Sequence, residues 1–147
     1  MNITFPSQFV PRKLYIPDSV DCEVLEPQEV HAAVSDKVID EAFRNPIGSA
    51  TLEDIVKTKG LGKVCIICED LTRHSPTDII IPELISRLNR AGIPDDLMYV
   101  VMALGTHRPM TRDEMALKVG KTTFERLPVY NSEFRDKQRL VNLGSHK

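Results

Sequence analysis

Two short apolar runs stand out from an otherwise mixed pattern: Val64-Cys65-Ile66-Ile67-Cys68 and Leu97-Met98-Tyr99-Val100-Val101-Met102-Ala103. Both are rich in β-branched or bulky residues and bounded by glycine or proline, which predicts strands over 63–68 and 97–103. Between them Ile80, Ile81, Leu84, Ile85 and Leu88 recur at helical spacing and predict a helix over 76–91. Ser75 and Asp78 are its capping candidates, Pro82 a point of kinking or restart, and Ala91-Gly92-Ile93-Pro94 its stop.

Upstream, Ser19 to Leu25 alternates like a strand, and Gln28 to Phe43 reads as a helix with Val30, Val34, Val38 and Ala42 on its buried face. Asn45-Pro46-Ile47-Gly48-Ser49 breaks it. Thr51 to Lys57 is a short helix that Thr51 caps, with Asp54 at the capping-box spacing, and Gly60 and Gly62 frame the turn that follows. Downstream, a helix runs from Thr111 to Val119, and Leu127 to Tyr130 and Leu140 to Leu143 read as short strands.

Strand, helix, strand with two apolar strands is a βαβ unit, whose strands are parallel and whose crossover is right-handed. The expected fold class is α/β, a three-layer, mostly parallel sheet with flanking helices in Rossmann-like fashion, forming one domain over residues 1–147. This geometry puts two polar clusters, Asp70-Leu71-Thr72-Arg73 and Gly105-Thr106-His107-Arg108, at the carboxyl ends of their strands. Ligands of open α/β sheets bind in the crevice there. If the strands are neighbours, about 5 Å apart, Asp70, Arg73 and His107 share one pocket.

Composition narrows the partners. A formal net charge of −2 gives none of the basic footprint that nucleic acid requires, so no nucleic-acid partner is expected. The apolar runs fall far short of the roughly 20 residues of a membrane span, so no membrane is expected either. The first residues carry no basic region followed by an apolar segment and a cleavage site, which makes a cytoplasmic address the default. Three cysteines without a secretion signal argue against a disulfide framework. Cys65 and Cys68 have C-x-x-C spacing, but residues three apart on a strand point to opposite faces, so both are read as buried core, as is Cys22.

His107 alone reads as readily as a turn residue, and Asp70 with Arg73 as a surface ion pair. Their coincidence on one sheet edge favours a site. An arginine fork holds a small acid bidentately, and an imidazole moves a proton near neutral pH. Gly105 lets backbone approach a ligand, and Thr106 offers a hydrogen bond.

Asp70-Leu71-Thr72-Arg73 with Pro76, Ile81-Pro82, Leu88-Asn89, Ala91-Gly92-Ile93-Pro94 and Ala103-Leu104-Gly105-Thr106-His107-Arg108-Pro109-Met110-Thr111 resemble the N-terminal domain of the lactate racemase family. Asn45 to Ser49 matches that family's approach to its first central strand, and the likeness runs from about Tyr15 to Gly144. The resemblance implies an isomerase, a nickel-dependent racemase or epimerase of a small 2-hydroxy acid that uses a nickel pincer nucleotide. By that likeness His107 is one of two proton-transfer histidines, Arg73 binds the substrate carboxylate, and Asp70, Leu71, Thr72 and Arg73 lie against the cofactor.

The family's second histidine, its cofactor-bearing lysine and its nickel-ligating histidine have no counterparts in these 147 residues; His31, His74 and His146 do not replace them, and no metal ligand is expected from this chain. The chain is thus expected to be an N-terminal fragment, the catalytic half of a longer enzyme whose C-terminal domain is its partner. By itself it is expected to be inactive and to bind no cofactor. The alternative is a non-catalytic α/β module that binds an anion or a nucleotide phosphate.

Overall fold

The structure, a computed structural model, describes residues 1–5, 12–25, 36–60, 62–138 and 140–145. The chain divides into two compact units, Met1–Ala33 and Val34–Lys147.

The first unit holds an antiparallel pair, β1 (Asn2–Phe5) and β2 (Arg12–Tyr15), with Asn2 opposite Tyr15 and Phe5 opposite Arg12. The Met1 ammonium donates to the Ile16 carbonyl at 2.8 Å and fixes the start of the ladder. The strand expected over 19–25 does not form. These residues are exposed and pair with no strand among the described residues, so their alternation serves no sheet there. Cys22 is correspondingly exposed rather than buried.

The second unit begins with α1 (Asp36–Arg44). The helix expected over Gln28 to Phe43 has its first eight residues, Val30 and Val34 included, outside the described ones. Of its expected inward face, Val38 is 56% exposed and Ala42 is exposed, whereas Ile39 is buried. An ion pair accompanies this rotation: Asp40 pairs with the buried Arg87, which also pairs with Glu83 and lies 4.7 Å from the centre of the Phe43 ring. Helix α2 (Leu52–Lys59) starts as its sequence dictates. The Thr51 hydroxyl accepts from the Asp54 amide, and Gly60, at φ 75°, stops the helix.

Strand β3 (Val64–Glu69) leads into α3 (Thr77–Arg90), and a 3-10 turn over Asp95–Leu97 leads into β4 (Met98–Ala103). Then come α4 (Arg112–Val119), α5 (Lys121–Arg126) and β5 (Val129–Asn131). The sheet order is β3-β4-β5, parallel throughout. This is the expected mixed α/β fold with a parallel sheet and flanking helices. The strand expected over 140–143 is absent among the described residues, while α5 was not anticipated, since 121–126 lacks an apolar stripe.

Helix α3 runs through Pro82 without interruption, and the expected Ser75 and Asp78 caps are not used. Its start is held instead from α4: the Thr77 hydroxyl donates to the Lys118 carbonyl at 2.7 Å. Ile66, Cys68, Val100 and Met102 form the inner face of the sheet and pack with Ile81, Ile85, Leu88, Met115 and Val119. The opposite face carries Cys65, Ile67, Tyr99 and Val101. Ile67 is 74% exposed and Cys65 is exposed, so the two thiols do point apart as expected, but only Cys68 belongs to the core. No helix among the described residues is long and apolar enough to cross a membrane.

Ile85 lies at the centre of this core and is fully buried, whereas Ile79 on the same helix is exposed. By urea unfolding, Ile85→Ala should cost about 2–5 kcal/mol and Ile79→Ala less than about 1 kcal/mol. Equal costs would place the core elsewhere.

Candidate functional site

Strands β3 and β4 pair rung for rung, from Val64 opposite Met98 to Glu69 opposite Ala103. Both chains therefore leave the sheet at one level, and Asp70 and Leu104 open two loops side by side. Each loop turns back on its own backbone: the Arg73 amide donates to the Asp70 carbonyl at 3.3 Å, and the His107 amide to the Leu104 carbonyl at 3.0 Å. Gly105 sits at φ 57°, and a Cβ there would meet no protein atom within 4 Å. The glycine is thus required by backbone conformation, not by crowding.

The Asp70 residue is 6% exposed. One carboxylate oxygen accepts from the Thr72 amide at 2.9 Å and the Thr72 hydroxyl at 2.6 Å. The other meets His107 Nδ1 across the gap between the loops. Burial works to raise the Asp70 pKa, but the hydrogen bonds from Thr72 and His107 outweigh it and hold the carboxyl at about 2. An ionised carboxylate only accepts, so Nδ1 carries the proton and the Nε2 lone pair stays free. The imidazole is half in solvent, its side chain 51% exposed, and Nε2 bonds to no described residue.

The residues around His107 serve the turn. The Arg108 guanidinium forks onto Glu114 at 2.6 and 2.8 Å, and Glu114 completes a capping box with Thr111 at the start of α4. The hydrogen bond from Arg108 leads in lowering the Glu114 pKa to about 2. Asn131, at the end of β5, donates to the Met110 carbonyl at 2.9 Å and accepts from the Met110 amide at 3.2 Å, and Ser132 Oγ accepts from the Leu104 amide at 3.1 Å.

The other loop is held by Lys118, whose Nζ donates to the Arg73 carbonyl at 2.8 Å and to Glu69 at 2.9 Å. The Arg73 side chain is exposed and pairs with no carboxylate among the described residues. Of the residues expected to line a cofactor, Leu71 is half-buried against the core, Asp70 and Thr72 spend their polar atoms on each other and on His107, and Arg73 alone presents an uncommitted charge. The structure thus brings Asp70 to His107, as expected of neighbouring strands, and makes of them a direct pair. Lys118 had one signal: it falls in the same stripe as Met115 and Val119, where a charged residue must find partners. No three His, Cys, Asp or Glu side chains converge as metal ligands among the described residues.

Residues 10–147 match the family model of the lactate racemase N-terminal domain. The chain belongs to that family. It is 32% identical over 108 residues to the lactate racemase of Lactiplantibacillus plantarum and 27% identical over 108 residues to that of Thermoanaerobacterium thermosaccharolyticum. Each alignment takes in 74% of this chain and 25% of the relative, so the chain spans about a quarter of the curated lactate racemases it matches. The fold of this chain is similar to that of the lactate racemase apoprotein from T. thermosaccharolyticum, with a TM-score of 0.67 at 24% identity over 94% of this chain and 31% of that one. A crystal structure of a protein from Thermotoga maritima is similar over 71% of this chain and 23% of that one, with a TM-score of 0.53 at 25% identity.

The folded Asp70 carboxyl ionises below its ordinary value, so its partnership contributes stability above the unfolded pKa near 3.9, and that contribution disappears as pH falls through about 2. Asp70→Asn should therefore be destabilised at pH 7 by about 1–3 kcal/mol. The gap from wild type should close between about pH 4 and pH 2. Thermal unfolding across this range tests the pairing, and a gap independent of pH would contradict it.

Proposed function

We propose that this chain supplies one wall of the active site of a 2-hydroxy acid racemase or epimerase, with His107 as a proton-transfer residue and Arg73 as the holder of the substrate carboxylate. The observation that carries this reading is the His107–Asp70 pair on the rim where two parallel strands end together, with an uncommitted guanidinium on the neighbouring loop. The family relationship supports the same chemistry.

In this reading the Arg73 guanidinium binds the carboxylate with its fork and turns the C2 hydroxyl toward the imidazole. Nε2 of His107 takes the hydroxyl proton and later returns it. Asp70, ionised and buried, holds the ring in the tautomer that leaves Nε2 free and stabilises the imidazolium while the proton resides there. The Asp70 to Arg73 loop and the Gly105–Thr106 backbone face the cofactor.

The nickel pincer nucleotide of the family resemblance, when bound, supplies a hydride acceptor for substrate C2. Its organic, anionic parts fit a rim bearing an open guanidinium and turn backbone, whereas no nickel ligand is assigned to the described residues. The metal-holding residues and the second histidine belong, in this proposal, to a C-terminal domain outside this chain, and the chain by itself is inactive.

In the whole, cofactor-loaded enzyme, His107→Ala should lower the rate of 2-hydroxy acid interconversion by at least about 10²-fold in both directions, with a loss of thermal stability no larger than that of Asp70→Asn, since both changes break the same pair. Arg73→Lys, which keeps the charge and removes the fork, should weaken substrate binding by about tenfold or more. If His107→Ala retains activity within a few-fold while Arg73→Lys still weakens binding, the rim is an anion-binding surface without a catalytic role.

A further inference from the structure

We infer that Lys118 is a positioning residue for Arg73: its ammonium clamps the backbone of the 73–75 loop, and so sets where the guanidinium meets a substrate carboxylate. This rests on the reading of Arg73 given above.

Lys118 lies in the last turn of α4 and is 6% exposed. Its Nζ reaches three acceptors: the Arg73 carbonyl at 2.8 Å, the Ser75 carbonyl at 3.4 Å and the Glu69 carboxylate at 2.9 Å. The hydrogen bond from Lys118 leads in holding the Glu69 carboxyl below its usual range. Desolvating an ammonium is costly, and an apolar side chain in the stripe of Met115 and Val119 would avoid that cost. What lysine alone supplies there is a compact point charge with three donors, matched to two loop carbonyls and one strand-end carboxylate.

The position of Lys118 within α4 gives the clamp a second consequence. The same helix is anchored at its first turn by the Thr111–Glu114 capping box and the Arg108 fork, directly after His107. Its eight residues form a strut about 12 Å long between the loop of His107 and the loop of Arg73. The Thr77 hydroxyl on the Lys118 carbonyl ties the far side of the Arg73 loop to the same turn. One rigid element therefore braces both loops from behind, and its last turn holds the backbone from which the Arg73 guanidinium projects.

The test is a double-mutant cycle in the whole, cofactor-loaded enzyme, using Lys118→Met, Arg73→Ala and both together. The readouts are the lactate dissociation constant by calorimetry, kcat and thermal stability. Lys118→Met should weaken lactate binding by about tenfold with kcat within about threefold, and should add nothing further once Arg73 is alanine. Unchanged binding in the single variant, or the same loss in the Arg73→Ala background, would overturn the inference, because a mere structural prop acts whether or not Arg73 is present. If Arg73→Ala itself leaves binding unaltered, the carboxylate reading of Arg73 fails first and the inference fails with it. Should Lys118→Met not fold, Lys118→Arg carries the same cycle with the same expectation. It keeps the charge beside Glu69, but its planar fork does not reproduce the three-acceptor geometry.

Discussion

Two adjacent parallel strands that end on the same rung impose a constraint from which the rest of the rim follows. Because Glu69 stands opposite Ala103, the next residue on each side enters its loop at the same height, and the Asp70 carboxylate comes within reach of the imidazole three residues along the other loop. A carboxylate so nearly buried must be fully served by donors. Thr72 supplies two from its own loop, and the third donor site falls to His107. The loops are therefore locked to each other through a charge, and the imidazole is oriented as a by-product of satisfying that charge.

The surrounding residues keep that lock rigid. Asn131 and Ser132 bind the His107 loop from β5, Arg108 and Glu114 fix its exit into α4, and Lys118 holds the Arg73 loop from the other end of that helix. Adjacent side chains thus meet different fates. Arg108 is consumed by the turn, while His107 and Arg73 keep polar atoms facing solvent. A site that binds a small acid and moves one proton needs this division, since a carboxylate clamp and a base are useful only at a fixed separation.

Local signals transferred to the structure where a tertiary partner completed them, and failed at the Ser75 and Asp78 caps and over 19–25 and 140–143, where none did among the described residues. The Thr51 cap, the two central strands and the stripe of Ile81, Ile85 and Leu88 each rest on spacings of a few residues. The face that α1 buries goes with a contact to Arg87, 47 residues from Asp40, and the start of α3 depends on Thr77 reaching Lys118. No periodicity encodes either contact. The apolar run over Val64 to Cys68 reads the same whether one face or both are covered, which is why Cys65 was expected in the core and is exposed. Sheet topology made the location of the site legible, since both polar clusters follow parallel strands. The same topology put Asp70 near His107, but which carboxylate oxygen meets which ring nitrogen was not legible, and Lys118 was not, because it acts on a loop 45 residues away.

The central claim is that Asp70 fixes the tautomer of His107, and nitrogen NMR of the labelled imidazole tests it most directly. With His107 neutral, the proton should reside on Nδ1, facing the Asp70 carboxylate, with Nε2 unprotonated, and Asp70→Asn should remove that preference. A neutral ring protonated at Nε2, or a tautomer indifferent to Asp70→Asn, would contradict the account.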